Sequence, residues 1–283
     1  MLTPAQLMEQ RPGFVPVTRS EIAAHLRAAG VRVGGLLLVH VRLSALGWVA
    51  GGMDAVVHAL GDTVGPDGTV MAFCGWEDSP YHVAGWPAEW QQAYQDQPAF
   101  DPAVSGARRD FGRFPERLRT WPGAVRGSHP EVSFTAVGPQ AAAMVADSAD
   151  DDPWGVDGPL GRLVEGEGQV LMLGAPLARL TLCHHAEATA RVQGKRYHSY
   201  TAPVRVRESV EWQHYSTLDT YWGALDCWDR SDLAVGESIV GMLAEQAVTA
   251  GAVTTTHLHD CPVHLVEAAP AVVSVRRWIE DHF

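Results

Sequence analysis

The stretch GGLLLVHVRLSALGWVAGGMDAVVHAL, residues 34–60, decides the fold. Its opening, 34–41, is an unbroken apolar run bounded by glycines, the pattern of a strand buried on both faces. The loop RLSALGWVAGG follows, and a helix is expected to open near Met53–Asp54 and run to about Leu60. The unit then begins again: PDG at 66–68 is a turn, and TVMAFCGW at 69–76 reads as a second buried strand. Helices between short apolar strands predict a parallel α/β core.

Upstream, residues 20–29 predict a helix with Thr18 or Ser20 near its cap and Gly30 at its end. Downstream the rhythm returns with a strand at 133–138 (SFTAVG), a helix at 139–147 and a buried strand at 168–175 (GQVLMLGA). TLCHHAEATARVQG, 181–194, reads as a helix closed by Gly194. A helix near 233–250, a strand pair around 252–274 and a final helix at 275–282 complete the chain. Two stretches break the rhythm. Residues 77–125 are rich in Trp, Pro, Asp and Arg without a sustained period, and 196–232 are polar and aromatic-rich. Long irregular stretches inside a compact domain are more often functional than accidental. The expectation is one α/β domain over 1–283: a layered α/β/α core, a central mostly parallel sheet, and an irregular substrate-binding subdomain inserted at 77–125 and 196–232.

Composition narrows the function. The 33 Asp+Glu against 21 Lys+Arg leave a formal charge of −12, so the basic footprint of a nucleic-acid binder is missing. An acidic surface favours cationic small molecules. Cys74, Cys183, Cys227 and Cys261 form no CxxC and are expected to be reduced thiols. The N-terminal residues lack a signal-peptide pattern, and the apolar runs 35–39 and 269–275 are too short for a bilayer. A soluble, cytoplasmic protein is expected.

Several constellations could carry chemistry. His184 and Glu187 stand at i, i+3, which puts both on one helix face. A carboxylate beside an imidazole stabilises its protonated form and fixes its orientation, as a general base near neutral pH requires. A surface His beside a surface Glu has the same spacing. Glu77 and Asp78 follow the second strand, where α/β folds open their ligand crevice, and suit an amine, a metal or a loop cap. Asp96, Asp101, Asp219, Asp226 and Asp229 add acidic groups in the irregular regions. Arg42, Ser44 and Gly47 precede a helix N-terminus, a setting that suits phosphate, although neither a Walker motif nor a GxGxxG is present. His257, His259, Cys261 and His264 form HxHxCxxH; on one strand, 257, 259 and 261 would share a face toward a zinc ion, but no fourth ligand has the usual spacing. No metal is expected. GxSxG and HExxH are absent.

Three separated blocks, VHVRLSALGWVAGG (39–52), FDPAVSGARRDFGRFPERLRTWPGAVRGSHPEVSFTAVGP (100–139) and LGAPLARLTLCHHAEATA (173–190), resemble the aminoglycoside 3-N-acetyltransferases, antibiotic acetyltransferases that use acetyl-CoA but lack the GNAT fold. The resemblance implies that His184 is the catalytic histidine of an H-x-A-E motif, Glu187 its glutamate, and Asp78 the acidic residue at the substrate amine. It implies a CoA loop at His40, Val41, Arg42, Leu43, Ser44, Leu46 and Gly47, with a second cofactor wall at Arg126, Ser128, Ser133 and Phe134. Glu77, Tyr81 and Asp219 fall on the substrate side with Asp78. Val41 and Arg42 stand where many relatives carry small hydroxyl-bearing residues, and His185 where an aliphatic residue is common. The implied reaction is acetyl-CoA-dependent N-acetylation of the 3-amino group of 2-deoxystreptamine, with resistance as its outcome. Its partners are a cationic aminoglycoside and CoA, with no nucleic acid and no membrane, in a monomer or homodimer.

Rival readings use the same residues. They are a same-fold acetyltransferase for another amine, a metal-dependent hydrolase using Asp78, His184 and the HxHxCxxH run, and a non-catalytic acetyl-CoA or drug binder. An acyl-cysteine route through Cys183 is a further alternative, opposed by helix geometry because adjacent helical residues do not face each other.

Overall fold

The computed structural model describes residues 6, 8, 9, 13, 15–146, 152–226, 228 and 238–283. Strands β1 (Leu36–Val41), β2 (Thr69–Phe73), β3 (Val125–Arg126), β4 (Phe134–Val137) and β5 (Gln169–Leu173) build most of the main sheet. After a separate ribbon of β6 (Tyr197–Val206) and β7 (Ser209–Leu218), β8 (Val253–Leu258) and β9 (Cys261–Glu267) complete it. The sheet order is β3-β4-β2-β1-β5-β9-β8. β2, β1 and β5 lie side by side and parallel at its centre. β4 and β9 run against them, and β3 and β8 reverse again at the edges. β3, β2, β1, β5 and β8 therefore point one way, so the sheet is mostly parallel in direction although antiparallel pairs close its two sides.

The unbroken apolar run of β1 is explained by two cores. Leu36 and Leu38 point to one face with Met71 and Val170, while Leu37, Val39 and Val41 point to the other with Val70 and Leu171, because side chains alternate along a strand. Helices α1 (Arg19–Ala28), α2 (Gly52–Val64) and, beyond the short α3 (Ala88–Ala93), α4 (Arg113–Arg119) cover the second face. The first face is covered by α5 (Ala141–Val145), α6 (Pro159–Glu165), α7 (Leu182–Thr189), α8 (Ile239–Thr249) and α9 (Ala268–His282). The α1 start is a reciprocal capping box: Thr18 Oγ1 accepts the Glu21 N–H at 3.2 Å, and Glu21 Oε2 accepts the Thr18 N–H at 3.4 Å.

Some local expectations change. The region expected to be irregular from residue 196 holds the antiparallel β6–β7 hairpin, paired in register from Tyr197↔Leu218 to Val206↔Ser209. It has a core of its own: Trp76, Tyr81, Phe100, Tyr200, Ala202 and Val204 pack together away from the two main cores. Helix α9 starts at Ala268 rather than Val275, with Pro270 in its first turn, where the missing N–H costs nothing. Helix α7 ends at Thr189, short of Gly194. The proposed helix start at 233–237, Cys227 and Asp229 lie outside the described residues.

Candidate active site

The carboxyl ends of β1, β2 and β5 open together into one cleft of about 2450 Å³. Ordinary small-molecule pockets enclose roughly 300–1,000 Å³, so this cleft has room for two sizeable ligands. Its walls come from the loop after β1, the loop after β2, the stretch 106–117, the turn before α7, and the residues following β7.

His184 lies at the cleft wall in the first half of α7. Its Nδ1 meets Glu187 Oε2 at 2.5 Å, and the Glu187 side chain is 2% exposed. A buried carboxylate needs a donor, so hydrogen-bond logic gives the proton to Nδ1 and leaves the lone pair on Nε2. The Trp154 ring stands 5.0 Å from the imidazole, centroid to centroid. His185 turns the other way: its Nδ1 meets the Trp154 carbonyl at 2.7 Å, tying the Trp154 loop to α7. Where an aliphatic side chain would only pack, His185 holds the residue that covers His184. Cys183 is buried, its thiol faces the Val240 carbonyl at 3.9 Å, and burial pushes its pKa well up, which disfavours a nucleophilic thiolate.

The acidic residues separate in role. Glu77 accepts the Arg109 N–H at 2.6 Å and pairs with its Nε at 3.2 Å. Asp78 is exposed, lines the cleft, and makes no ion pair among the described residues. Tyr81 also lines the cleft and is buried, and burial pushes its phenol well up. Asp219 does not line the cleft; its Oδ1 accepts the N–H groups of Tyr221 at 3.1 Å and Trp222 at 2.9 Å, a turn cap. Asp101 pairs with Arg205 and Asp226 with Arg196, while Asp96 is exposed away from the cleft. Within the expected wall at 126–134, sequence reasoning did not single out Glu131. This residue lines the cleft, is 4% exposed, and pairs with Arg108 Nη1 at 2.9 Å. Burial raises its carboxyl, and Arg108 opposes that shift. In HPEVSF it has no helical or strand spacing to another polar group, so nothing in the sequence distinguishes it.

The loop after β1 is split. His40, Val41, Arg42, Leu43, Ser44 and Gly47 line the cleft, whereas Leu46 is buried in the core against α2. Burial holds His40 down to about 4, so its ring is neutral. Arg42 spends its N–H on the Leu173 carbonyl at 3.0 Å. Leu43 and Ser44 open a short 3₁₀ turn, and their N–H groups have no acceptor within it. The expected wall at 126–134 differs: Arg126, Ser128, Ser133 and Phe134 are not cleft-lining residues. Arg126 turns inward to Ser133 Oγ at 3.1 Å and to the carbonyls of Ser105 and Gly75, and its guanidinium lies over Phe100. Phe134 is a fully buried core residue. Glu131 and Val132 form the cleft surface there instead. Cationic groups the sequence did not single out, Arg113 and Arg179, join Arg42 on the lining and make no ion pair among the described residues.

The HxHxCxxH run does not share a face. A hairpin turn at His259 and Asp260 puts His257 on β8 and Cys261 on β9, with Cys261 inside the core. His259 pairs with Glu21 at 2.6 Å and His264 meets Thr255 at 2.9 Å. Among the described residues no group of three or more His, Cys, Asp or Glu could hold a metal ion. Among them, too, no helix is long and apolar enough to cross a membrane.

Comparison with known proteins gives a consistent family. Residues 38–280 match the profile described as aminoglycoside 3-N-acetyltransferase. Aminoglycoside N(3)-acetyltransferase VIII of Streptomyces fradiae is 45% identical over 280 residues, spanning 98% of this chain and 96% of that protein. The crystal structure of aminoglycoside acetyltransferase AAC(3)-Xa superposes with a TM-score of 0.89 at 41% identity, covering 98% of this chain and 97% of that one. AAC-IIIb, solved as a binary complex with CoASH, gives 0.85 at 35% identity over 95% and 98%.

Proposed function

This chain belongs to the aminoglycoside 3-N-acetyltransferase family, and from that premise we propose that it moves the acetyl group of acetyl-CoA to the 3-amino group of an aminoglycoside, with His184 as general base. The observation that carries the proposal is the His184–Glu187 pair, set in a cleft large enough for both substrates and lined by residues of both charges. The anionic cosubstrate suits the lining residues Arg42, Arg113 and Arg179 and the N-terminus of α2. The polycationic drug fits the side bearing Asp78. The crystal complex of AAC-IIIb with CoASH supports acetyl-CoA as the donor.

An ammonium has no lone pair and cannot attack a thioester. His184 Nε2 accepts its proton, directly or through one water, and Glu187 stabilises the imidazolium through Nδ1. The freed amine forms the new C–N bond at the acetyl carbonyl. Negative charge then develops on the carbonyl oxygen, and the Leu43 and Ser44 N–H groups are suited to receive it. The C–S bond breaks and the sulfur takes the electron pair; the nitrogen gives up its second proton as the amide forms, so that of the two protons lost one reaches the thiolate from His184 and the other leaves to solvent. Asp78 holds a non-reacting ammonium and so orients the ring. Glu77, Asp78 and Tyr81 after β2, with Thr220 and Tyr221 after β7, form the drug-side wall.

Thiol release from acetyl-CoA across gentamicin, tobramycin, kanamycin, neomycin and apramycin tests this directly. Drug-dependent release with one acetyl added at N3 is expected, and His184→Ala should lower kcat by about 10²–10⁴ while leaving acetyl-CoA binding intact. Full turnover by His184→Ala would remove the general base. No release with any drug would move the search to other amines.

A further inference from the structure

Glu131 is not needed as an acid or base in the reaction above, yet it is the most deeply buried carboxylate on the drug side of the cleft after Glu187. Burying a charge is costly, and a buried ion pair is weak evidence for stability, so such a group is better explained by what it orients. Its Oε1 receives two donors: Arg108 Nη1 at 2.9 Å and the Tyr221 hydroxyl at 3.1 Å. The Ser79 hydroxyl stands beside the carboxylate, but Oε2 closes no hydrogen bond.

Tyr221 lies in the turn just after β7, within the stretch expected to be irregular. It lines the cleft. The Arg108 guanidinium lies 5.2 Å from its ring centroid and 5.3 Å from Phe111, so one cation is shared between the turn after β7 and the loop at 108–111. On its remaining sides the ring meets His82 edge-on at 4.5 Å and Tyr81 at 5.1 Å. The turn carrying it is fixed by the Asp219 cap. Backbone, hydroxyl and ring face are thus each held, and the Glu131 carboxylate accepts from the hydroxyl.

We propose that Glu131, with Arg108, is a positioning residue that locks Tyr221 as the specificity-determining wall of the drug half of the cleft. The inference rests on the functional reading above. Glu131 acts through Tyr221: its carboxylate sets the height and tilt of the ring over the space where sugar rings and ammonium groups pack. The anionic cosubstrate binds elsewhere along the cleft and is insensitive to this lock.

The test is a double-mutant cycle on the full chain with Glu131→Gln, Tyr221→Phe and the pair, measuring kcat, the KM of each substrate, and Tm. Each single change should raise the aminoglycoside KM about tenfold, the scale of losing a hydrogen bond to a charged group. The KM of acetyl-CoA should stay within about twofold, and the double variant should be no worse than the more affected single one. Additive effects would overturn the lock, because Glu131 would then act by another route. Equal rises in both KM values, or a lower Tm with unchanged KM values, would also overturn it, leaving Glu131 a purely structural group. Should Glu131→Gln fail to fold, Tyr221→Phe alone still decides: an unchanged aminoglycoside KM removes the proposal. A wild-type enzyme inactive on every drug removes the functional reading itself, whereas an active wild type with unchanged variants removes only the lock.

Discussion

His129 and His40 are neutral for the same reason: each is half-buried, with its Nε2 buried and without a hydrogen-bond partner among the described residues. Burial holds His129 down to about 3 and His40 to about 4. His129 Nδ1 accepts the Val132 N–H at 2.8 Å, an acceptor role open only to the unprotonated nitrogen. In the unfolded chain both histidines titrate near 6.5. As pH falls from 7 to 5 the unfolded chain takes up about 1.5 protons at these two sites that the native protein largely refuses, so stability falls with pH. Each site contributes about 2 kcal/mol to that loss. The raised carboxyls of Glu131 and Asp152 act in the opposite sense, so the histidine contribution must be isolated by substitution. His129→Asn, whose amide oxygen can accept a backbone N–H, should show a smaller drop in Tm between pH 7 and pH 5 than the wild type. Equal drops by calorimetry would mean that His129 is protonated in the native protein.

Gly174 joins β5 to the loop that leads into α7, and its backbone is in the left-handed region at φ 69°. A Cβ there would meet Ala45 Cβ at 2.6 Å, the Arg42 carbonyl at 3.0 Å and Cys261 Sγ at 3.1 Å. The strand end, the cleft loop after β1 and β9 therefore close on a single glycine, whose own N–H bonds the Pro262 carbonyl at 2.8 Å. Gly174→Ala should cost about 1–3 kcal/mol and raise the KM of acetyl-CoA by displacing Arg42 and Ser44; a wild-type Tm with unchanged KM would show that the loop moves freely. Legibility follows the same division between local and distant causes. β1, β2 and β5 were readable because burial on both faces leaves an uninterrupted apolar run. The His184–Glu187 contact was readable because three residues along a helix fix it locally. The β6–β7 ribbon was not, because it packs on its own small core, and its edge is docked by Phe100, whose N–H bonds the Pro203 carbonyl at 2.7 Å. Nor could the chain order reveal that Glu77 is consumed by Arg109 while Asp78 stays available, or that Arg126 turns inward. Those choices depend on partners such as Arg109, Ser105 and Gly75, between 21 and 51 residues away, set by tertiary packing.

The whole molecule carries a formal charge of −12, while its cleft carries both signs. On the proposed reading, the long-range field and the local Asp78 act together on a polycationic drug, so encounter and binding are both favoured. For acetyl-CoA the same reading sets two effects against each other, because the distant carboxylates repel an anion that Arg42, Arg113 and Arg179 would attract at close range. Salt separates the two cases, since the screening length shrinks from ~10 Å at 0.1 M to ~3 Å at 1 M. Raising ionic strength from roughly 0.05 to 0.5 M should lower kcat/KM for the aminoglycoside by about tenfold with kcat nearly constant, as expected when attraction acts before the chemical step. The value for acetyl-CoA should change far less, because screening removes repulsion and attraction together. Initial rates with each substrate varied in turn measure both slopes. Equal declines for the two substrates would mean that the arginine side dominates recognition and that the net charge of the surface contributes nothing to drug capture.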